Sequence, residues 1–357
     1  MIRWHLPRSA SLDIETRLRA VCAGAAVSFV LSAVSLDARA EGHTFRDVVF
    51  TNYTEHSSNP QLVRRLLSPL AAERLKRELA ASHTTLAAQP VNLAVERFIV
   101  YVPTQRPARG FAVLVFVPPW QDARLPQGWA SALDQHGAIF VSAARSGNDE
   151  NVMGRREPLA LLAAQNILQQ YPVDPERVYI AGFSGGSRIA LRLALGYPDV
   201  FRGVILNAGS DPIGDPQVPL PPKDLFLKFQ SSTRLIYITG ERDTPHMSDD
   251  LMSMRSLRQW CVFNVDSYVQ PRLGHEVAPP TALSRALRSL LDAVPPDPAK
   301  LTACRSAIDR ELAAKLRQVE SLIANGRRAE AEKLLNKVDG RFGGLAAPRS
   351  VDPAPTL

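Results

Sequence analysis

The sequence predicts an α/β fold: a mostly parallel sheet with helices on both faces, followed by a C-terminal helical hairpin. Three observations lead there. Short apolar runs of strand length recur through the middle of the chain, and stretches with helical spacing alternate with them. The runs are apolar throughout rather than alternating, as strands buried on both faces are. After a proline-rich break, two more stretches of helical spacing follow without an intervening strand.

Taken in order, residues 41–94 form a mixed segment. "DVVFTNYT" has strand character, and "NPQLVRRLLSPLAAERLKRELAAS" has helical spacing interrupted by Pro69, where a break is expected. The main domain, 95–294, opens with the strands "RFIVYVP" and "GFAVLVFVPP". "QGWASALDQHG" reads as a helix ended by Gly137, and "AIFVSAA" as another buried strand. "REPLALLAAQNILQQYP" is a long helix that stops at Pro172. The strand "RVYIAG", the helix "SRIALRLALG", and the strands "RGVILNAG" and "RLIYITG" come next. A helix near 248–259, the strand "VDSYVQP" and the helix "TALSRALRSLLDAV" complete the domain. "PPDPAK" marks a linker, and 295–343 reads as a hairpin of two helices joined at Asn325-Gly326. That unit is a single copy of a repeat-like pair and is expected to brace or cover the core. The tail, 344–357, is rich in Pro and Ala and reads as disordered.

With 45% hydrophobic and 22% charged residues, the composition is that of a globular protein. The net charge of +7 is scattered, with no basic tract, so nucleic acid is not an expected partner. At the N-terminus, Arg17 and Arg19 precede the small and apolar run "AVCAGAAVSFVLSAVSL", and Ala38-Arg39-Ala40 follows. A positive flank, an apolar segment and an A-x-A site form a secretory signal over 1–40, cleaved after Ala40. The expected product is periplasmic or extracellular and keeps no membrane span. Export leaves Cys261 and Cys304 as an even pair in an oxidising compartment, and a disulfide between them is expected.

The chemistry centres on Gly182-Phe183-Ser184-Gly185-Gly186, which fits G-x-S-x-G between a strand and a helix. A sharp strand-to-helix turn strains the serine backbone, and the flanking glycines leave room for it. The turn lifts the hydroxyl above the sheet and sets a helix N-terminus beneath it, where negative charge is favoured. Ser184 is the candidate nucleophile. A base is expected after the last core strand, where His275 stands behind Gly274. His43, His56, His83, His136 and His246 are the other histidines beyond the leader. An acid must orient the imidazole, and Asp243 in "GERD" is the choice, with Glu241 and Asp211 as rivals. Gly185 N–H is one expected oxyanion donor. The second falls to Trp120 or Gln121, because Pro118 and Pro119 have no amide hydrogen. The Trp120 indole either walls a substrate pocket or packs in the core.

The block "DPERVYIAGFSGGSRIAL", with "GERD" and "GHEV" after it, resembles the α/β-hydrolase superfamily. Within it, the block is most similar to exported esterases and polyhydroxybutyrate-depolymerase-like proteins. The resemblance covers about residues 95–294 and implies an α/β-hydrolase fold. It also implies Ser184 as nucleophile, Asp243 as acid, His275 as base, and catalysis without a metal or organic cofactor. Where such proteins have His-Gly, this chain has Pro118-Pro119. The expected function is a secreted serine hydrolase acting on a small or polymeric carboxylic ester through an acyl-enzyme. The alternatives are a non-catalytic binding protein on the same scaffold, or a serine peptidase of prolyl-oligopeptidase type.

Overall fold

A computed structural model describes residues 42–292 and 295–351. The expected signal segment, 1–40, lies outside the described residues. The strands are β1 (His43–Val48), β2 (Phe98–Val102), β3 (Phe111–Val117), β4 (Ala138–Ala143), β5 (Val173–Phe183), β6 (Gly203–Asn207), β7 (Arg234–Gly240) and β8 (Val265–Gln270). They form one sheet in the order β1-β2-β4-β3-β5-β6-β7-β8. β2 runs antiparallel to β1 and β4, and every pairing from β4 to β8 is parallel. Parallel neighbours need crossovers, and the helices supply them.

α1 (Asn59–Leu66) and α2 (Pro69–Ala81) precede the main domain, broken where Pro69 opens the second. α3 (Trp129–His136), α4 (Glu157–Gln170), α5 (Gly185–Gly196), α6 (Lys223–Ser232), α7 (Thr244–Gln259) and α8 (Pro280–Leu291) are the crossover and closing helices. α3 and α8 pack on one face of the sheet, where Trp129, Leu133, Leu283 and Leu287 meet Leu114 and Phe116. On the other face, α1, α4, α5 and α6 set Leu62, Leu162, Leu191 and Phe229 against Val113, Val115 and Val117. The alternation along β3 sorts its side chains between these two layers, which is why its seven residues are all buried.

Residues 42–94 therefore join the main core: Phe50, Leu62 and Leu66 lie in it, and β1 extends the sheet. The strand falls at His43–Val48, overlapping "DVVFTNYT" only at its start, because its pairing with Phe98–Val102 decides its extent. α6 was not expected, and it closes the β6-to-β7 crossover. α9 (Pro298–Ala324) and α10 (Arg328–Phe342) form the hairpin, turning at Asn325 and Gly326. Leu312, Leu316, Val338 and Phe342 add to the core, and Trp260 meets Phe342 edge to face. A disulfide joins Cys261, just past α7, to Cys304 on α9. The tail departs from the disorder expected over 344–357. As far as residue 351 it packs back: Gly344 donates to the Leu220 carbonyl, and Ala346 and Ser350 are buried. Composition pointed to disorder, but a paired backbone and buried side chains hold this stretch. Among the described residues, no helix is long and apolar enough to cross a membrane.

Candidate active site

The site sits at the C-terminal edge of the sheet, where chains leaving β5, β6, β7 and β8 converge. Ser184 lies between β5 and α5 with φ 55° and ψ −126°, a conformation costly for a residue with a side chain. Its N–H donates to the Asn207 carbonyl at 2.8 Å, and its carbonyl accepts from Ser187 at 2.9 Å. Two glycines make the turn possible. A Cβ on Gly182 would collide with the Gly186 carbonyl, and one on Gly186 with the Val117 carbonyl. The elbow is thus pressed against its own helix and against the end of β3.

His275 Nε2 lies 3.0 Å from Ser184 Oγ, and its Nδ1 lies 2.7 Å from Asp243 Oδ2. Asp243 is buried, whereas the imidazole of His275 remains open to solvent. Burial alone would raise the Asp243 pKa, but hydrogen bonds from His246 and His275 outweigh it and hold the carboxyl below its usual range. The two loops that bear acid and base are joined by backbone: Arg242 N–H donates to the Leu273 carbonyl at 2.9 Å. Gly240 has no side chain, so residues 273–274 pack directly onto it.

Serine, aspartate and histidine occur in that chain order, after β5, β7 and β8 of this sheet. The fold is that of the α/β-hydrolases. A family described as Esterase PHB depolymerase matches it over residues 141–225. It is 31% identical over 98 residues to a poly(3-hydroxybutyrate) depolymerase of Ralstonia pickettii, covering 24% of this chain and 20% of that one. It is 29% identical over 124 residues to poly(3-hydroxyalkanoate) depolymerase C of Paucimonas lemoignei, covering 30% of each. The chain therefore spans less than a third of the length of these relatives. Among solved structures, a poly(3-hydroxybutyrate) depolymerase from Bordetella parapertussis aligns with a TM-score of 0.40 and 20% identity, over 58% of this chain and 88% of its own.

The rival acids are engaged elsewhere. Asp211 pairs with Arg188 at 3.0 Å, and Glu241 accepts the Arg272 N–H at 2.8 Å. Of the other histidines, His136 bonds Ser284 at 2.9 Å, and His56 lies against Tyr197. His246 is different: it joins the site through Asp243. Asp243, His246 and His275 offer ligand atoms within 4.8 Å of one another, a spacing a metal ion could use. Here those groups bond each other, and His275 also reaches Ser184.

Around the expected oxyanion hole, Gly185 opens α5, with the carboxamide of Asn148 filling the space a side chain would take. The 118–121 segment is tied to the loop after β4. Pro119 accepts the Asn148 N–H at 3.1 Å, and Gln121 accepts the Arg145 N–H at 2.7 Å. The Trp120 ring packs against Phe116 and Phe183, at 5.9 and 6.2 Å between centroids, with the Arg124 guanidinium 4.2 Å over it. Phe183 in turn lies 4.8 Å from the His275 ring.

One residue that sequence reasoning passed over is Asn207, the last of β6. It is buried, and its carbonyl holds Ser184 N–H. Its side chain accepts the Ala278 N–H at 2.6 Å and donates to the Ile238 carbonyl at 3.0 Å. One residue thus connects the elbow to the segment that follows His275.

Proposed function

We propose that this protein is a serine hydrolase that cleaves carboxylic esters. The observation behind the reading is the continuous hydrogen-bonded path from Ser184 Oγ through His275 to a buried Asp243, at 3.0 and 2.7 Å. Ser184 Oγ attacks the ester carbonyl while His275 Nε2 takes its proton, and Asp243 steadies the imidazolium that forms. The tetrahedral oxyanion is held by Gly185 N–H and by a backbone N–H of Trp120 or Gln121, because the two prolines before them cannot donate. Collapse expels the alcohol, protonated by His275, and leaves an acyl-Ser184 ester. Water, deprotonated by His275, then releases the acid and restores the serine.

The half-buried serine and the solvent-open histidine suit an ester presented on a bulky or polymeric substrate as well as a small one. The relatives named as poly(3-hydroxybutyrate) and poly(3-hydroxyalkanoate) depolymerases support polyester as the class to try first. The positive flank, apolar run and A-x-A site before Glu41 support export. The test is labelling with a fluorophosphonate followed by peptide mapping. One adduct per chain on Ser184, lost in Ser184→Ala, is expected. A folded protein that takes no adduct would favour the non-catalytic scaffold instead.

A further inference from the structure

We propose that His246 is a positioning residue of this site: it holds the second oxygen of Asp243 and covers one face of His275, so the carboxylate stays aimed at the catalytic imidazole. The inference rests on the hydrolase reading above and adds a fourth side chain to it.

Asp243 stands at the N-cap of α7, where an aspartate ordinarily accepts a hydrogen bond from the helix's first free N–H groups. This one makes no such bond. Its two oxygens go to two histidines instead, Oδ1 to His246 Nδ1 and Oδ2 to His275 Nδ1, each at 2.7 Å. The capping pose and the triad pose compete for the same carboxylate. Free helix N–H groups attract an anion, so an Asp243 with one idle oxygen has a reason to rotate away from His275. His246 removes that reason. It lies on the first turn of α7, three residues after Asp243, the spacing that brings a side chain back over the cap.

The ring of His246 is itself fixed. It stacks on His275 with centroids 4.1 Å apart and planes inclined by 16°. Beyond it stands Gly209, at φ 115°, where a Cβ would come 2.8 Å from His246 Cδ2. The charged and titratable groups around the ring are Asp243 and His275, Asp250 on the same helix, and Arg188 from α5 near Gly209. Arg188 is paired with Asp211 and Asp249. His246 donates from Nδ1, since the carboxylate oxygen it faces accepts. A second charge on the stacked ring would oppose the imidazolium that His275 must become during acyl transfer.

The test compares His246→Phe, which keeps a stacking ring but has no N–H, with His246→Asn, which restores a donor without the ring. The expected result for the Phe variant is a fall in kcat on the order of tenfold to a hundredfold with KM little changed, as a slightly misplaced catalytic group produces. The acid limb of its pH profile should move, because Asp243 no longer steadies His275 in the same pose, and the Asn variant should regain part of the loss. Wild-type kcat and an unmoved acid limb in a folded Phe variant would overturn the proposal. If that variant does not fold, proton NMR of the wild-type protein decides. Two low-field imidazole N–H resonances are expected from two histidines on one carboxylate, and a single one would overturn it. Absence of a fluorophosphonate adduct on the wild-type Ser184 would defeat the hydrolase reading, while the resonance count would still decide the placement of His246.

Discussion

Replacing Asn207 by alanine tests how the site is held together. The side chain makes two hydrogen bonds within 3.0 Å, to Ala278 N–H and the Ile238 carbonyl, and a longer one of 3.4 Å to the Glu276 carbonyl. The losses are unequal. The Ile238 carbonyl keeps the Ala208 N–H at 3.0 Å, and Glu276 is exposed, so water replaces the missing donor. Ala278 is buried, so its N–H is left without a partner. An orphaned buried donor costs about 1–3 kcal/mol, and the lost bonds about 1 kcal/mol more, so a destabilisation of about 2–4 kcal/mol is expected. Because Ala278 closes the loop that begins at His275, the imidazole loses its fixed distance from Ser184. Misplacement of that kind costs up to ~10²-fold in rate. Urea unfolding measures the first effect. Turnover of a p-nitrophenyl ester, with the rate of fluorophosphonate labelling, measures the second. A variant with an unchanged urea midpoint and a rate within twofold of wild type would refute the reasoning.

Two further outcomes are expected. Reducing the Cys261–Cys304 disulfide, which closes a separation of 43 residues, should lower stability by about 4 kcal/mol on the chain-entropy account, read as a lower urea midpoint for Cys304→Ser than for wild type. Asp250 is lifted to about 6 by burial, so the folded state favours its neutral form, and wild-type stability should fall as pH rises from about 4 through about 6. Asp250→Asn should remove about 3 kcal/mol of that slope, and parallel stability–pH curves for the two proteins would refute it.

Much of this was legible in the sequence because the informative features are local. "FAVLVFV" reads as a strand buried on both faces, and all seven residues are buried. G-x-S-x-G names its own turn, since glycines are needed where backbone presses on backbone, as Gly182 and Gly186 show. The parts that were missed depend on distant partners. β1 is mostly exposed and is defined by pairing with β2, which no local pattern announces. α6 is short and follows a proline-rich run, "PLPPK", so its spacing had little length in which to show. Asn207 looks like any strand-ending asparagine, and its partners lie in Ile238, Glu276 and Ala278. His246 did leave a signal. The spacing D-T-P-H puts a histidine one helical turn beyond the acid, with Pro245 in the first turn to start the helix.

The N-terminal half of α7 and its cap hold two buried carboxylates that meet opposite fates, and the difference follows from their partners. Asp243 faces two imidazole N–H groups, which favour the anion strongly enough to overcome burial. Asp250, two turns along, is offered only the hydroxyls of Ser210 and Thr239, and burial wins. Ser210 lies just past β6 and Thr239 near the end of β7, so Asp250 pins α7 to the edge of the sheet from which Asp243 must reach His275. Both hydroxyls donate to Asp250, which favours the anion, but burial outweighs them. Ionisation near pH 6 puts a charge into a buried place, a cost the two hydroxyl bonds offset only in part, while Asp243 stays charged. One helix therefore carries the acid at its N-cap and, two turns on, a group titrating two pH units higher than an ordinary carboxylate, about 6 against about 4. Asp250 bonds Ser210 and Thr239 and neither Ser184 nor the imidazole, so what joins it to His275 is α7 and the Asp243 at its start.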